Sequence, residues 1–189
     1  KRAILGAALD CFNTHGIEAA TIDMVRSAVD TSVGAIYHHF GNKEGLIAAL
    51  FFVALDDMAA LRDESLSKAT TTEDGVRALV CSYVDWVVAQ PEWARFLFQA
   101  RAAVAKGPQA AALAARNRER NQALARWFAL SARRAGLLPL PPELLPSLVI
   151  GPAENYCRAW LSGRVQTSPL AQRKALAAAA WRSVGATSS

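Results

Sequence analysis

Apolar residues recur at helical spacing along almost the whole chain, and this periodicity limits the fold more than any other feature. Ile4, Ala8 and Phe12 share one helical face near the start, and Val76, Val80, Val84 and Val87 form a longer stripe. Alternation of apolar and polar residues in β-branched runs is nearly absent, which argues against sandwiches and barrels. The 39 alanines favour helix further. We therefore predict an all-α chain of about nine helices.

Composition excludes several classes of protein. Apolar residues are 52% and charged residues 20%, which is typical of a packed core rather than a disordered chain. Three widely separated cysteines give no disulfide framework. The longest apolar run, residues 46–55, is about half as long as a membrane-spanning helix needs to be. We expect a cytoplasmic protein with no membrane partner.

The positive net charge is unevenly placed. Residues 1–45 carry a net charge of −1, residues 46–100 carry −4, and residues 101–189 carry +10. A basic chain often binds nucleic acid. Here the excess positive charge lies in the C-terminal half, so charge alone does not locate a nucleic-acid surface.

Two short helices joined by a tight turn are predicted before residue 41. Thr21 is placed to cap the first of them, and Ser32 to cap the second, which runs from Val33 to Phe40. Gly41 ends that helix, and a longer one begins after it. The arrangement is typical of a helix-turn-helix, and it also fits two ordinary short helices of a bundle.

The outward face of the second short helix is small and nearly uncharged. Steps of 100° per residue place Gly34, Ala35 and His38 opposite Ile36 and Phe40. A helix with so little bulk on one face fits deep into the major groove of DNA. The alternative is a face that is only solvated.

Residues 21–50 resemble the DNA-binding signature of the tetracycline-repressor (TetR) family, most specifically over the run Val33–Leu46, V-G-A-I-Y-H-H-F-G-N-K-E-G-L. The resemblance implies a helix-turn-helix DNA-binding domain at residues 1–45. It also implies an all-α effector-binding and dimerisation domain at residues 46–189. Asp30 and Thr31 depart from the family's usual turn, which bears on the docking angle.

The outward face and the resemblance together give the expected DNA contacts. Helix N-termini attract phosphate without net positive charge, which suits a module whose net charge is −1. The residues expected to contact phosphates or base edges are Thr21, Thr31, Ser32, Val33, Gly34, Ala35, Tyr37, His38 and Lys43.

The rest of the chain predicts an effector site and a dimer interface. Aromatic and apolar side chains are concentrated in residues 46–160, and most of them should be core. Helical bundles of this kind can also leave a cavity between helices, which some of these side chains would line for a largely apolar small molecule. The candidates are Phe51, Leu55, Met58, Tyr83, Trp86, Trp93, Trp127 and Tyr156. The candidates for a four-helix homodimer interface are Leu144, Leu145, Leu148, Leu161, Leu176 and Trp181. The expected protein is a repressor that binds a palindromic operator as a homodimer and is released by its effector.

Several other features of the sequence have a structural interpretation as well as a functional one. Cys11 and His15 have the spacing of a metal pair, but no second pair follows, so we expect a buried thiol and no metal or cofactor. No motif of catalysis is found, and we expect no enzyme. Asp85 and Glu154 are interpreted as structural acids. The basic run 116–134 is interpreted as a solvated helix face, with contact to DNA as the alternative.

Overall fold

The computed structural model of the chain describes residues 1–29, 31–129, 136–141 and 143–186. It confirms an all-α fold, with ten helices in these residues where about nine are predicted. We number them α1 (Arg2–His15), α2 (Ile22–Ser27), α3 (Val33–Phe40), α4 (Lys43–Ser67), α5 (Thr72–Ala89), α6 (Pro91–Lys106), α7 (Ala110–Phe128), α8 (Leu145–Val149), α9 (Gly151–Leu161) and α10 (Pro169–Val184). None of these helices combines the length and apolar content that crossing a bilayer requires.

The first of two compact units contains residues 1–57 and 92–118. It joins α1, α2 and α3 to α6 and to parts of α4 and α7. The Phe12 ring of α1 stacks on the Phe96 ring of α6, with 5.8 Å between centroids. Beside this stack, the Asn13 side-chain amide donates a hydrogen bond to the Glu92 carbonyl at 3.0 Å. These contacts hold α1, on which α2 packs, against α6.

The second unit contains residues 58–91 and 119–189. Here α10 packs on α5, α8 and α9, and α9 packs on α5. Val80 and Val84 of α5 and Val184 of α10 are completely buried in this core. The division between units falls inside α4 and inside α7, so each of these helices contributes to both units.

Helix limits beyond residue 90 follow from local features of the chain. Helix α6 starts at Pro91 and runs to Lys106 because apolar residues continue to Val104. Helix α7 ends at Phe128, and residues 130–135 lie outside the described part of the chain. Only Ile150 separates α8 from α9, and its backbone stays in the right-handed helical region, so the interruption beside Gly151-Pro152 is one residue long.

An ion pair joins α10 to α5 in the second unit. Both carboxylate oxygens of Asp85 accept hydrogen bonds from an Arg173 guanidinium nitrogen, at 2.5 and 2.6 Å. This bond raises the pKa of Arg173, and the neighbouring negative charge raises it further. The prediction that Asp85 is a structural acid is in keeping with this geometry.

We expect Arg173→Met to lower the free energy of unfolding by about 1 kcal/mol, because it leaves a half-buried carboxylate without its partner. Urea unfolding followed by circular dichroism measures the change. Lys174→Met is the matched control, since Lys174 is exposed on the same helix, and we expect it to stay within about 0.5 kcal/mol of the wild type. Equal effects of the two substitutions would contradict a structural role for the ion pair.

Candidate nucleic-acid interface

Side-chain caps fix where α2 and α3 begin. The Thr21 hydroxyl oxygen accepts a hydrogen bond from the Met24 backbone amide at 3.2 Å. The Ser32 hydroxyl oxygen accepts one from the Ala35 amide at 3.1 Å. Both predicted caps are confirmed, and α3 has the predicted limits of Val33 and Phe40. The caps therefore fix the first residue of each helix and the length of the segment between them.

Helix α3 has one buried side and one accessible side. Ile36 is 1% exposed, whereas Tyr37 is 48% exposed. Gly34 and His38 are also exposed, and Ala35 is half-buried. The small accessible surface is therefore available to a duplex, and its role in reading DNA stays a prediction.

The turn from α3 into α4 depends on two glycines. Gly41 has a φ of 77°, which only glycine adopts without strain. A Cβ atom at Gly45 would lie 1.9 Å from the Phe40 carbonyl oxygen, which is backbone and cannot rotate aside. Asn42 caps α4 by accepting a hydrogen bond from the Gly45 amide at 2.7 Å. Sequence reasoning identified Gly41 as the end of α3 but missed the constraint at Gly45.

Lys43 has a partner within the protein. Its ammonium group donates a hydrogen bond to the Glu18 carbonyl oxygen at 2.9 Å and so ties the start of α4 to the turn after α1. An ammonium group has three N–H donors, so this contact leaves two for a phosphate. The sequence predicted the phosphate contact but not the internal one.

The remaining predicted DNA contacts lie around the start of α3. Thr31 and Val33 are half-buried. The Thr31 amide donates a hydrogen bond to the Val29 carbonyl at 2.9 Å, which closes the turn. Asp30, the other departure from the family's turn, lies outside the described residues.

The predicted effector residues divide between the two units. Phe51 and Leu55 are buried in the first unit, where Trp93 is half-buried. The second unit holds the others: Met58, Tyr83, Trp86, Trp127 and Tyr156. Of these, Trp86 is 3% exposed and the other four are half-buried.

Two of the aromatic residues in the second unit have structural contacts. Trp127 lies over Gly75 of α5 so closely that a Cβ atom there would be 2.2 Å from the indole ring. The Tyr156 hydroxyl donates a hydrogen bond to the Thr167 carbonyl at 3.2 Å. Packing thus accounts for Trp127 and Tyr156, and the role of the predicted set in binding an effector stays a prediction.

The predicted dimerisation residues all belong to the second unit. Leu144 is 39% exposed. The other five are half-buried: Leu145, Leu148, Leu161, Leu176 and Trp181. These side chains retain apolar surface that a second protein chain could cover.

The basic run 116–134 is not uniformly solvated. A guanidinium nitrogen of Arg116 donates hydrogen bonds to both carboxylate oxygens of Asp56 at 2.6 Å. The same guanidinium lies 4.5 Å from the centroid of the Phe52 ring. Arg116 therefore joins α7 to α4 in the first unit, while Arg118 and Arg126 are exposed.

The cysteines have the properties of packed thiols. Burial raises the pKa of the Cys157 thiol to about 12, with the Glu154 carboxylate adding to the rise. Burial also raises the pKa of Cys11. Protonated thiols are poor nucleophiles and poor metal ligands. In the part of the chain that the structure describes, no three His, Cys, Asp or Glu side chains are grouped to hold a metal ion.

Comparison with known proteins finds similarity to the first helices of this chain. Residues 4–50 match the family model described as bacterial regulatory proteins, tetR family. Over 76 residues, the chain is 40% identical to the HTH-type transcriptional repressor AcnR of Corynebacterium efficiens. That match covers 40% of this chain and 36% of the relative, so the chain spans only about a third of the curated protein it resembles.

Solved structures share the fold over nearly the full length. A TetR family transcription regulator from Marinobacter aquaeolei VT8 has a TM-score of 0.82 at 20% identity, covering 98% of this chain and 95% of that one. The fatty acid degradation regulator FadR from Bacillus halodurans has a TM-score of 0.79 at 18% identity, covering 95% and 97%. At such identities the likeness concerns the fold alone.

Proposed function

We propose that the protein is a DNA-binding transcriptional regulator of the tetR family of bacterial regulatory proteins, because its residues 4–50 match the model of that family. Its residues 1–45 act as the DNA-binding domain and residues 46–189 as the effector-binding and dimerisation domain. We propose repression as the mode of regulation, in line with the name of the relative AcnR. We propose further that the protein has no catalytic activity and acts in the cytoplasm.

The accessible side of α3 is the observation that carries this proposal. Gly34, Tyr37 and His38 are exposed on a helix whose opposite side is anchored by buried Ile36. Small side chains let the helix axis approach the base edges, and an imidazole donates to base or phosphate acceptors. Tyr37 and Lys43 would then meet the phosphate backbone beside them.

A gel-shift assay with the DNA upstream of the protein's own gene tests the proposal. We expect the wild type to retard this DNA and the triple variant Tyr37→Ala, His38→Ala, Lys43→Ala to bind it much more weakly. Removal of one base contact costs about 1–3 kcal/mol and relaxes sequence preference. Circular dichroism and sedimentation check that helix content and assembly are unchanged. Unaltered binding by the triple variant would refute the assigned surface.

Lys43 offers a separate test, because a phosphate contact and an internal contact differ in salt dependence. We expect Lys43→Met to weaken operator binding and to lower the slope of log affinity against log salt by about 0.9 for each phosphate that the lysine neutralises. Fluorescence anisotropy at several salt concentrations measures this slope. A weaker affinity with an unchanged slope would mean that Lys43 acts only through the Glu18 carbonyl.

We propose that the regulator binds a palindromic operator as a homodimer. One recognition helix reads few base pairs, and helix-turn-helix proteins commonly double their site by two-fold symmetry. The partly exposed Leu144 and its five half-buried companions support an interface in the second unit. Sedimentation of the wild type at micromolar concentration should give a dimer, and a stable monomer would contradict it.

We propose that a largely apolar effector releases the protein from DNA. Its candidate site includes Met58 on α4 and Tyr83 and Trp86 on α5, which all belong to the second unit. Couplings of about 1–3 kcal/mol would change operator affinity roughly 5- to 150-fold, and DNA must weaken the effector equally. A thermal-shift screen of apolar compounds finds candidates, which are then titrated with and without operator. Equal effector affinity in both titrations would refute this control.

A further inference from the structure

The part of α4 that belongs to the second unit carries an arginine, Arg62, on its inward side. Steps of 100° per residue place Arg62 between Met58 and Leu66 on one side of the helix. Leu66 is buried, and the Arg62 side chain is only 16% exposed. The opposite side of the helix, which carries Ala60 and Ser67, is exposed. A charged group therefore lies on the side of α4 that is otherwise shielded from water.

Within the described residues, the Arg62 guanidinium forms an ion pair with a single carboxylate, that of Asp63. The Asp63 side chain is 61% exposed, because the next residue along the helix points away from the inward side. Its Oδ1 atom accepts a hydrogen bond from Arg62 Nε at 2.8 Å and lies 2.7 Å from Nη2. By contrast, Arg173 has a side chain that is 38% exposed and meets both carboxylate oxygens of Asp85. The most shielded of these guanidinium groups thus has the more weakly held partner.

The geometry of this pair leaves one edge of the guanidinium for a second acceptor. A guanidinium carries five N–H donors in one plane, and a carboxylate can bind along either of two edges. Asp63 occupies the edge formed by Nε and Nη2. The Nη1 atom at the other edge has no acceptor in the part of the chain that the structure describes. Because a shielded cation is stabilised by an anionic partner, this edge favours an anion over a neutral group.

We propose that Arg62 binds a carboxylate of the effector, which is therefore an apolar small molecule that carries an acidic group. This inference rests on the proposed effector control and names the chemical class of its ligand. One arginine matches the single charge of a carboxylate better than the higher charge of a phosphate. Met58 lies one turn before Arg62 on the same side of α4 and supplies an apolar side chain beside the charge. Tyr83 and Trp86 of α5, in the same unit, are candidates for contact with the apolar part of the effector.

Acids and alcohols with the same apolar part separate a charge contact from apolar burial. The probes are octanoate against octanol and phenylacetate against phenylethanol, titrated into the protein and followed by tryptophan fluorescence. We expect the wild type to bind an acid at least about tenfold more tightly than its alcohol, because charge-assisted hydrogen bonds to the guanidinium are made only by the acid. Arg62→Gln should remove this preference and leave the affinity for the alcohols unchanged.

Two further variants complete the design. Asp63→Asn removes the competing carboxylate from an exposed position, and we expect it to strengthen binding of the acids about two- to fivefold, the range of an exposed charge pair. This variant also keeps the inference testable if Arg62→Gln fails to fold, which circular dichroism checks. Arg182→Gln is the matched control, since Arg182 is an exposed arginine of the same unit, and it should retain the preference for acids.

The outcomes separate this inference from the effector control on which it rests. In anisotropy titrations, an acid should release the wild type from operator, and Arg62→Gln should need about tenfold more of it for the same release. Alcohols that bind as tightly as the acids, or a preference for acids that survives Arg62→Gln, would overturn the inference alone. If neither acids nor alcohols bind the wild type or release it from operator, the proposed apolar effector fails, and the inference fails with it.

Discussion

Gly45→Ala should abolish sequence-specific DNA binding although position 45 touches no DNA in this account. Its Cβ atom would lie 1.9 Å from the Phe40 carbonyl oxygen, so the turn between α3 and α4 must open. An open turn would rotate α3 away from the base edges that we propose it reads, and only non-specific contacts would remain. We expect operator affinity to fall by roughly a thousandfold, the lower end of the usual gap between specific and non-specific binding.

Gly6→Ala is the matched control for this prediction. Gly6 lies in α1, and a Cβ atom there meets nothing within 4 Å. The same chemical change should therefore preserve operator affinity and add a little helix stability. Anisotropy titrations of both variants, with circular dichroism as the check on folding, measure the contrast. Wild-type affinity in Gly45→Ala would show that the turn geometry does not position α3.

Gly34→Glu should block DNA binding while leaving the fold intact. The nearest heavy atom to a Cβ at this position is the Ser32 hydroxyl oxygen at 3.8 Å, so the side chain fits. Glutamate is also a better helix former than glycine. In the proposed complex, however, its carboxylate would meet the phosphates and base edges of the groove. Because such like-charge contacts cost several kcal/mol, we expect operator affinity to fall at least about a hundredfold.

Two further variants separate charge from position. Gly34→Ala fills the same site without charge and should retain most of the affinity. Gly6→Glu adds the same charge to an exposed position of α1 and should change operator affinity only slightly. Thermal unfolding of all three variants checks that the fold is kept. A Gly34→Glu protein that binds operator like the wild type would show that this side of α3 does not face DNA.

Local signals made the first 50 residues predictable. A serine cap marks the start of α3 and a glycine marks its end, so its limits follow from Ser32 and Gly41 alone. The internal contact of Lys43 with Glu18 was not predictable, because it joins residues 25 positions apart. The constraint at Gly45 was not predictable for a different reason. It arises because a side chain there would collide with the Phe40 carbonyl oxygen, and a sequence does not show which atoms surround a glycine.

Predictability was lower where several helices pack together. The apolar stripe from Val76 identified α5, but its start at Thr72 depends on a capping box between Thr71 and Asp74. Aromatic composition suggested an effector cavity, yet it did not show that the Trp127 ring is packed over Gly75. Composition reports which side chains are apolar, whereas their neighbours are set by tertiary packing.

The most direct test of the central claim is to sequence the DNA duplexes that the protein retains from a random library, using the wild type and His38→Asn. If the protein binds DNA as a dimer and each protomer reads bases with its own α3, the wild type should select an inverted repeat. His38→Asn should change the preferred base at one position in each half-site and leave the other positions as they were, because asparagine pairs with base edges differently from histidine. No enriched sequence, or the same sequence from both proteins, would contradict the assignment of α3 as the helix that reads DNA.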